Sequence, residues 1–112
     1  MLDVLLNKLE KKYGDDFNWG ILKDNNFLNE LHAELTAGHH LHGKARQALA
    51  RCYSQDDFLF LLDDNSYAIV HLTFSKNNIN GFPLYKKFAD LQSVINHIEN
   101  EYLTEHISIL HF

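Results

Sequence analysis

The sequence predicts an α+β fold: an antiparallel sheet of three to four strands, arranged as a meander, with two N-terminal helices and one C-terminal helix packed mainly on one face. Apolar, β-branched and aromatic runs at 58–62 and 67–74 are separated by the turn-forming residues DDNS, which is typical of an antiparallel hairpin. Segments with helical periodicity lie before and after this hairpin. The order helix, helix, strands, helix therefore favours a layer of helices against an antiparallel sheet.

The two N-terminal helices are predicted from leucines and aromatic residues that recur at steps of three and four. The first helix ends at Gly14, because glycine readily adopts the backbone conformation that follows a helix. The second begins at Asn25 or Asn26, either of which can cap its first turn, and ends at Gly38. The segment between them is predicted to be a loop attached to the core by its aromatic side chains.

Two further strands and a last helix are predicted around the hairpin. Segment 44–53 has residues of good helix propensity but alternates like a strand, and we favour a strand that completes a three-stranded meander. Segment 83–88 predicts a short strand that Pro83 confines to an edge of the sheet. Asp90 caps a third helix. The tail, 106–112, is expected to be a last strand or an extended arm.

Composition places the chain in a broad class. Its 112 residues suit a single domain, 1–112, and 46% of them are hydrophobic, which is enough to form a core. The sequence has no run of about 18 apolar residues, so we expect no transmembrane helix. The net charge of −5 argues against a nucleic-acid partner. The single cysteine and an N-terminus unlike a secretory signal suggest the cytoplasm.

The stretch GHHLHG invites a metal-site interpretation, since neutral imidazole binds zinc, copper and nickel. Adjacent side chains point apart in most backbones, so His40 would rarely ligate together with both of its neighbours. His39 with His42, or His40 with His42, would still need a third ligand from elsewhere, such as His32, Glu34 or Asp57. No CxxC, HExxH or similar pattern supplies one, so we expect neither a metal nor another cofactor.

A second enzymatic interpretation comes from His71-Leu72-Thr73 and His106-Ile107-Ser108. In an extended strand, residues two positions apart share a face, so a histidine and a hydroxyl side chain can point into one cleft. These tripeptides resemble those of the two-histidine phosphoesterases, in which one imidazole acts as base and the other as acid. The resemblance covers the tripeptides alone.

Pairs of aspartates suggest a protein-binding surface. Asp56-Asp57 and Asp63-Asp64 flank the strand 58–62 and should lie at its opposite ends. The second pair suits the turn, whereas the first is expected to join Asp15-Asp16, Glu30 and Glu34 in an acidic face. Aromatic residues near such a face would anchor a protein partner. The residues predicted to bind the partner are Asp15, Asp16, Trp19, Asp56, Asp57, Asp63 and Asp64.

The segment from Glu34 to Ser75 has the pattern EL-x-x-GH-x-L-x-G, ALAR, DD-x-LF-x-LDD and AIV-HLT-F-S. It resembles a group of small uncharacterised bacterial proteins, in which an aromatic residue, often tryptophan, stands where this chain has Phe74. That resemblance implies a compact cytoplasmic α+β domain and brings no established activity. It singles out His39, Asp57, His71 and Thr73 as pattern positions.

In size, charge and class the chain is also similar to the immunity proteins of contact-dependent inhibition and other bacterial toxin systems. We therefore expect a non-enzymatic acidic protein that binds a basic partner, a toxin domain such as a nuclease, and occludes its active site. The alternative is a small hydrolase or phosphoesterase that uses His39 and His71, assisted by Asp57 or Thr73.

Overall fold

The computed structural model describes residues 1–75 and 81–110, with the side chains of the last helix described as far as His106. Within these ranges the chain forms three helices and five strands. They are α1 Leu2–Tyr13, β1 Trp19–Ile21, α2 Asn26–Glu34, β2 Ala45–Cys52, β3 Asp57–Leu62, β4 Tyr67–His71, β5 Tyr85–Phe88 and α3 Leu91–Leu110.

The strands form one antiparallel sheet in the order β1-β2-β3-β4-β5, so the predicted meander is present with five strands instead of three to four. The additional strand is β1, which lies in the segment predicted to be a loop. It has three residues and pairs Trp19 with Cys52. Such a short segment with a central glycine gives no alternating pattern that a sequence could reveal.

Helices lie on both faces of the sheet: α1 and α3 pack on one face and α2 on the other, whereas the sequence predicted helices mainly on one face. Side chains alternate between the two faces of a strand. On β3, Leu59 packs on one side, whereas Phe58 and Phe60 pack on the other, and all three are fully buried. The α1/α3 face consists of Leu6, Leu9, Phe17, Trp19, Ala50, Cys52, Leu59, Ile69, Phe88, Val94, Ile95, Ile98 and Tyr102. The α2 face consists of Leu31, Leu35, Leu41, Ala45, Ala48, Phe58, Phe60, Leu62, Ala68, Val70 and Leu72.

The ambiguous segment 44–53 is a strand, as we favoured. Its pairing with β3 shifts register twice, between Ala45 and Gln47 and between Ala48 and Ala50. The second shift explains why Ala48 belongs to the α2 face and Ala50 to the α1/α3 face, although two residues apart normally share a face. The bulges therefore interrupt the strict alternation of faces along this strand.

Helix α1 ends, and helix α3 begins, at the residues that the sequence predicts. Gly14 follows α1 with a φ of 85°, a value that favours glycine. At the start of α3 the Asp90 carboxylate accepts a hydrogen bond from the Ser93 amide at 2.8 Å. This helix continues to Leu110, so the expected strand or arm over the tail is wrong; residues 111–112 lie outside the described ranges.

Helix α2 ends earlier than predicted. Leu35 takes an extended conformation directly after Glu34, and Gly38 lies in the following loop. Asn25 does not cap the helix with its side chain; its Oδ1 instead accepts the amide hydrogen of Ala48 at 3.3 Å. The short helix is therefore connected to β2 at its first turn.

No helix in the described ranges is long and apolar enough to cross a membrane.

Strand β5 lies at the edge of the sheet. Pro83, two residues before this strand, therefore interrupts no ladder of hydrogen bonds.

Candidate functional site

One end of the sheet brings three segments together. The amide of Tyr53 donates to the Asn18 carbonyl at 2.6 Å, and Asn18 Nδ2 donates to Ser54 Oγ at 2.8 Å, so the loop before β1 meets the β2–β3 turn. Gln55 Nε2 donates to Glu105 Oε1 at 3.0 Å, which adds the second half of α3. We call this surface the acidic end; it carries Asp15, Asp16, Asp56, Asp57, Glu101 and Glu105.

In the ion pairs that the described residues form, these carboxylates pair with histidines, which are charged only when protonated. Asp57 Oδ1 lies 2.8 Å from His71 Nδ1, and Glu101 Oε1 lies 3.2 Å from His97 Nε2. No lysine or arginine of the described ranges forms an ion pair with the acidic end, although Lys86 lines the same depression as Asp57 and Glu101. The carboxylates therefore give this surface a net negative charge when the histidines are neutral.

The negative charge of this surface also acts on a buried side chain of the core. Tyr102 is buried, and its ring lies 5.7 Å from that of Phe17, the residue that follows Asp16. Burial raises the pKa of Tyr102, and the negative charge of Asp16 raises it further.

Asp63 and Asp64 do not belong to this surface. They follow the last residue of β3, whereas Asp57 is its first, and a six-residue strand separates them by about 17 Å. Asp64 accepts hydrogen bonds from the amide and hydroxyl of Ser66, which lower the pKa of its carboxyl group. Its Oδ2 also lies 3.8 Å from Lys87 Nζ. This pair therefore shapes the β3–β4 turn.

The aromatic anchors also differ from the prediction. Trp19 is 6% exposed and lies in the core of the α1/α3 face, so its indole cannot contact a partner. Phe17 is buried in the same cluster. An exposed apolar side chain beside the acidic end is Leu84, which is 56% exposed and lines one depression with Asp57 and Glu101.

Asp57 and His71 are direct cross-strand partners of β3 and β4. Their hydrogen bond fixes one ring nitrogen, and more than half of the His71 side chain is exposed. The pair lines a shallow depression of about 220 Å³ together with His97 and Glu101 of α3. A histidine oriented by a carboxylate, with its second nitrogen open, is the arrangement of a general base.

The other predicted catalytic histidine has a structural role. His39 is buried, its Nδ1 accepts the amide hydrogen of Leu41 at 3.0 Å, and its Nε2 donates to the Pro83 carbonyl at 2.9 Å. Both ring nitrogens are thus occupied. His39 connects the loop after α2 to the segment before β5, where Tyr85 packs against its ring.

Thr73 and His106 do not form the predicted histidine–hydroxyl faces. Strand β4 ends at His71, and the Thr73 hydroxyl donates to Glu34 of α2, away from the depression beside α3. The second tripeptide lies within helix α3 and not in a strand. The phosphoesterase tripeptides therefore lack the strand geometry on which that resemblance depends.

No group of three or more histidine, cysteine, aspartate or glutamate side chains in the described part of the chain is placed to hold a metal ion. His40 and His42 are exposed, and the loop that carries them is closed by backbone hydrogen bonds such as His42 N to His39 O at 3.0 Å. Gly43, with a φ of 73°, ends this turn.

Glu34 was predicted to lie on an acidic face, but its carboxylate is buried. It is 3% exposed and accepts hydrogen bonds from the Thr73 amide and hydroxyl, both at 2.8 Å, and from the Phe74 amide at 2.9 Å. It therefore attaches α2 to the chain that leaves β4. A glutamate in an amphipathic helix gives no signal of this role, because the groups that donate to its carboxylate lie 39 and 40 residues away in the sequence.

The protonated carboxyl group of Glu30, one turn earlier on α2, donates a hydrogen bond to Glu34. This hydrogen bond, burial and the charge of Glu34 raise the pKa of Glu30 to about 7. Burial alone would raise the pKa of Glu34, but hydrogen bonds from Glu30, Thr73 and Phe74 outweigh it and lower that pKa. The pair thus shares one proton, with the charge on Glu34.

Stability should depend on pH through Glu30. Because its folded-state pKa is raised, its contribution is present below its unfolded pKa and is lost as the pH rises through about 7. The change Glu30→Gln keeps a neutral donor and removes this titration. We expect its free energy of unfolding, relative to the unaltered chain, to increase by about 1 kcal/mol between about pH 5 and pH 8, since solvent screens a partly exposed group.

Urea denaturation at a series of pH values measures this difference. The lowered pKa of Glu34 acts in the opposite direction, but only as the pH falls below its ordinary value near 4.5, outside this range. A constant difference between the two proteins from pH 5 to pH 8 would contradict the shared proton.

Comparisons of the chain with protein-family models, with curated proteins and with solved structures find no match. The acidic end and the Asp57–His71 pair are accordingly the features from which a function can be inferred.

Proposed function

We propose that this chain is a non-enzymatic binding protein that uses its acidic end to occlude a basic surface of a protein partner. The observation that carries the proposal is the gathering of six carboxylates from three chain segments, without a lysine or arginine ion pair among the described residues. Such a surface attracts a basic partner over long distances and speeds association.

An exposed apolar side chain beside the charges adds a contact from which water can be excluded. Leu84 is 56% exposed and lines the same depression as Asp57 and Glu101. The partner we propose is the toxin domain of a bacterial antagonism system, with this chain acting in the cytoplasm as its immunity protein. The mild acidity and small size shared with such proteins support this choice.

The test is binding to, and protection from, the toxin encoded by the neighbouring gene. Asp56 and Asp63 provide a matched pair, because both are exposed aspartates next to β3, at opposite ends of the strand. We expect Asp56→Lys to weaken the complex about tenfold or more, mainly by slowing association, and Asp63→Lys to change it less than about twofold. Surface plasmon resonance at two salt concentrations measures both effects.

Absence of a complex, or of growth protection during co-expression, would exclude the immunity function. Equal effects of the two substitutions would mean that the toxin is bound elsewhere on the molecule.

A hydrolase is the second candidate, and the specific observation in its favour is the oriented, half-exposed imidazole of His71. It is the weaker candidate because His39 and Thr73, the other predicted participants, are engaged in structural hydrogen bonds. Its test is turnover of phosphodiester and carboxylic ester substrates, which His71→Ala should abolish without changing the circular dichroism spectrum. No turnover by the unaltered protein would exclude it.

A further inference from the structure

A guanidinium group lies among aromatic rings on the α2 face. The Arg51 Cζ is 5.2 Å from the ring centre of Phe27, 5.1 Å from that of Phe58 and 5.6 Å from that of Tyr53. Phe74 approaches Phe27 and Phe58 edge-on, with ring centres 6.5 and 6.2 Å apart. We call these residues the arginine–aromatic cluster.

Arg51 has no acceptor within the described part of the chain. Its Nε is buried and unpartnered, and it takes part in no ion pair there. Three rings hold the group and restrict its hydration, yet they provide no hydrogen-bond acceptor equivalent to a carboxylate. An external anion should therefore bind this guanidinium with a favourable free energy, since part of the cost of removing water from the group has already been met on folding.

The cluster also presents an aromatic ring in a costly conformation. Phe74 is 50% exposed, and its φ of 54° lies in the left-handed region that residues with a large side chain rarely adopt. The bonds from Glu34 to the Thr73 and Phe74 amides hold the backbone there. A strained residue that keeps a hydrophobic ring in solvent is an observation that points to a ligand.

We propose that the arginine–aromatic cluster is a docking site for a protein segment that carries an aspartate or glutamate beside an apolar side chain. The carboxylate binds the outer nitrogens of Arg51, and the apolar side chain packs on Phe74 and Tyr53. This proposal does not rest on the immunity function, because it concerns a different face and a partner group of the opposite charge.

A carboxylate fits the site better than a phosphate group. Arg51 is the one cation placed over these rings in the described ranges, and a phosphate dianion usually needs several donors. The ionised Glu34, bonded to the Phe74 amide, also repels a second negative charge more strongly than a first.

Two blocked dipeptides provide the probes: acetyl-Trp-Asp-amide, and acetyl-Trp-Asn-amide as its uncharged match. Nuclear magnetic resonance of the isolated full-length chain follows the Arg51 Nε–H signal and the backbone amides of 73 and 74 during titration. We expect the aspartate peptide to shift these signals saturably, with at least tenfold higher affinity than the asparagine peptide. Phenyl phosphate is titrated in parallel.

Two variants separate binding from folding. Arg51→Met keeps the apolar part of the side chain and should reduce the affinity for the aspartate peptide at least tenfold. Phe74→Gly removes the exposed ring but suits the positive φ, so the midpoint of urea unfolding should stay unchanged or rise while the affinity falls at least threefold. A loss of stability together with intact peptide affinity would assign Phe74 a structural role and overturn its place in the site.

Other outcomes would also overturn the proposal. Equal binding of the two peptides, or no shift at Arg51 with either, would exclude carboxylate recognition. Tighter binding of phenyl phosphate than of the aspartate peptide would make the site a phosphate site. Concentration-dependent shifts of the same signals without peptide would show that a second copy of the chain occupies the cluster.

Discussion

Replacing Glu34 with alanine is expected to lower the free energy of unfolding by about 2–4 kcal/mol. The change leaves the Thr73 amide, the Thr73 hydroxyl and the Phe74 amide without the acceptor that now binds all three at 2.8 to 2.9 Å. Thr73 is only half-buried, so water can reach part of this site, which keeps the loss below the sum of three buried donors. Urea denaturation followed by circular dichroism measures the change.

Asn29 provides the control for Glu34, because it lies on the same helix with an exposed side chain. Asn29→Ala should change the free energy of unfolding by no more than about 0.5 kcal/mol. If Glu34→Ala lowered the free energy of unfolding by less than about 1 kcal/mol, the cost of desolvating the buried carboxylate would nearly cancel the stabilisation from its hydrogen bonds.

Replacing Phe58 with alanine should have an effect at least as large, about 3–5 kcal/mol. The ring is fully buried at the centre of the α2 face, 4.3 Å from the ring centre of Phe27, and also contacts Phe74 and Arg51. Its removal leaves a cavity that three separate elements border, so the surroundings cannot easily collapse. Thermal and urea unfolding should both detect the loss.

Phe58→Leu is the matched substitution, since it retains most of the apolar volume. We expect it to cost about 1–2 kcal/mol. If alanine and leucine at this position proved equally destabilising, the aromatic contacts with Phe27 and Arg51, and not the filled volume, would be responsible.

Much of the sheet could be predicted because β3 and β4 are strongly apolar and joined by turn-forming residues. The position of α2 on the second face is also consistent with the sequence, because Phe58, Leu59 and Phe60 are consecutive and apolar, which is typical of a strand buried on both faces.

The pairing of Asp57 with His71 could not be predicted from the residues alone. It depends on a register in which Leu62 N bonds Ser66 O, and that register requires Asn65 to take a φ of 66°. Had the hairpin slipped by one residue, Asp57 would lie opposite Leu72. Asparagine tolerates the left-handed conformation, but the sequence DDNS is compatible with more than one turn.

The acidic end was predicted only in part, for a topological reason. Asp15, Asp16 and Asp56 were expected to lie together, and β1 brings them together by pairing with β2. Glu101 and Glu105 were not included, because the direction in which α3 returns across the sheet is a tertiary property. The surroundings of Arg51 could not be predicted for the same reason: the three rings come from α2, from β3 and from Tyr53, the residue that follows β2.

The order of the five strands bears on how the chain reaches its native state. Each strand pairs only with the strands next to it in the sequence, so the sheet needs no distant loop closure, a property associated with rapid folding. The contact between α1 and α3 is the exception, as Tyr13 bonds Glu99 across 86 positions. Trp19, the single tryptophan, is buried where these helices meet the sheet, so its fluorescence during refolding reports when the two ends of the chain dock.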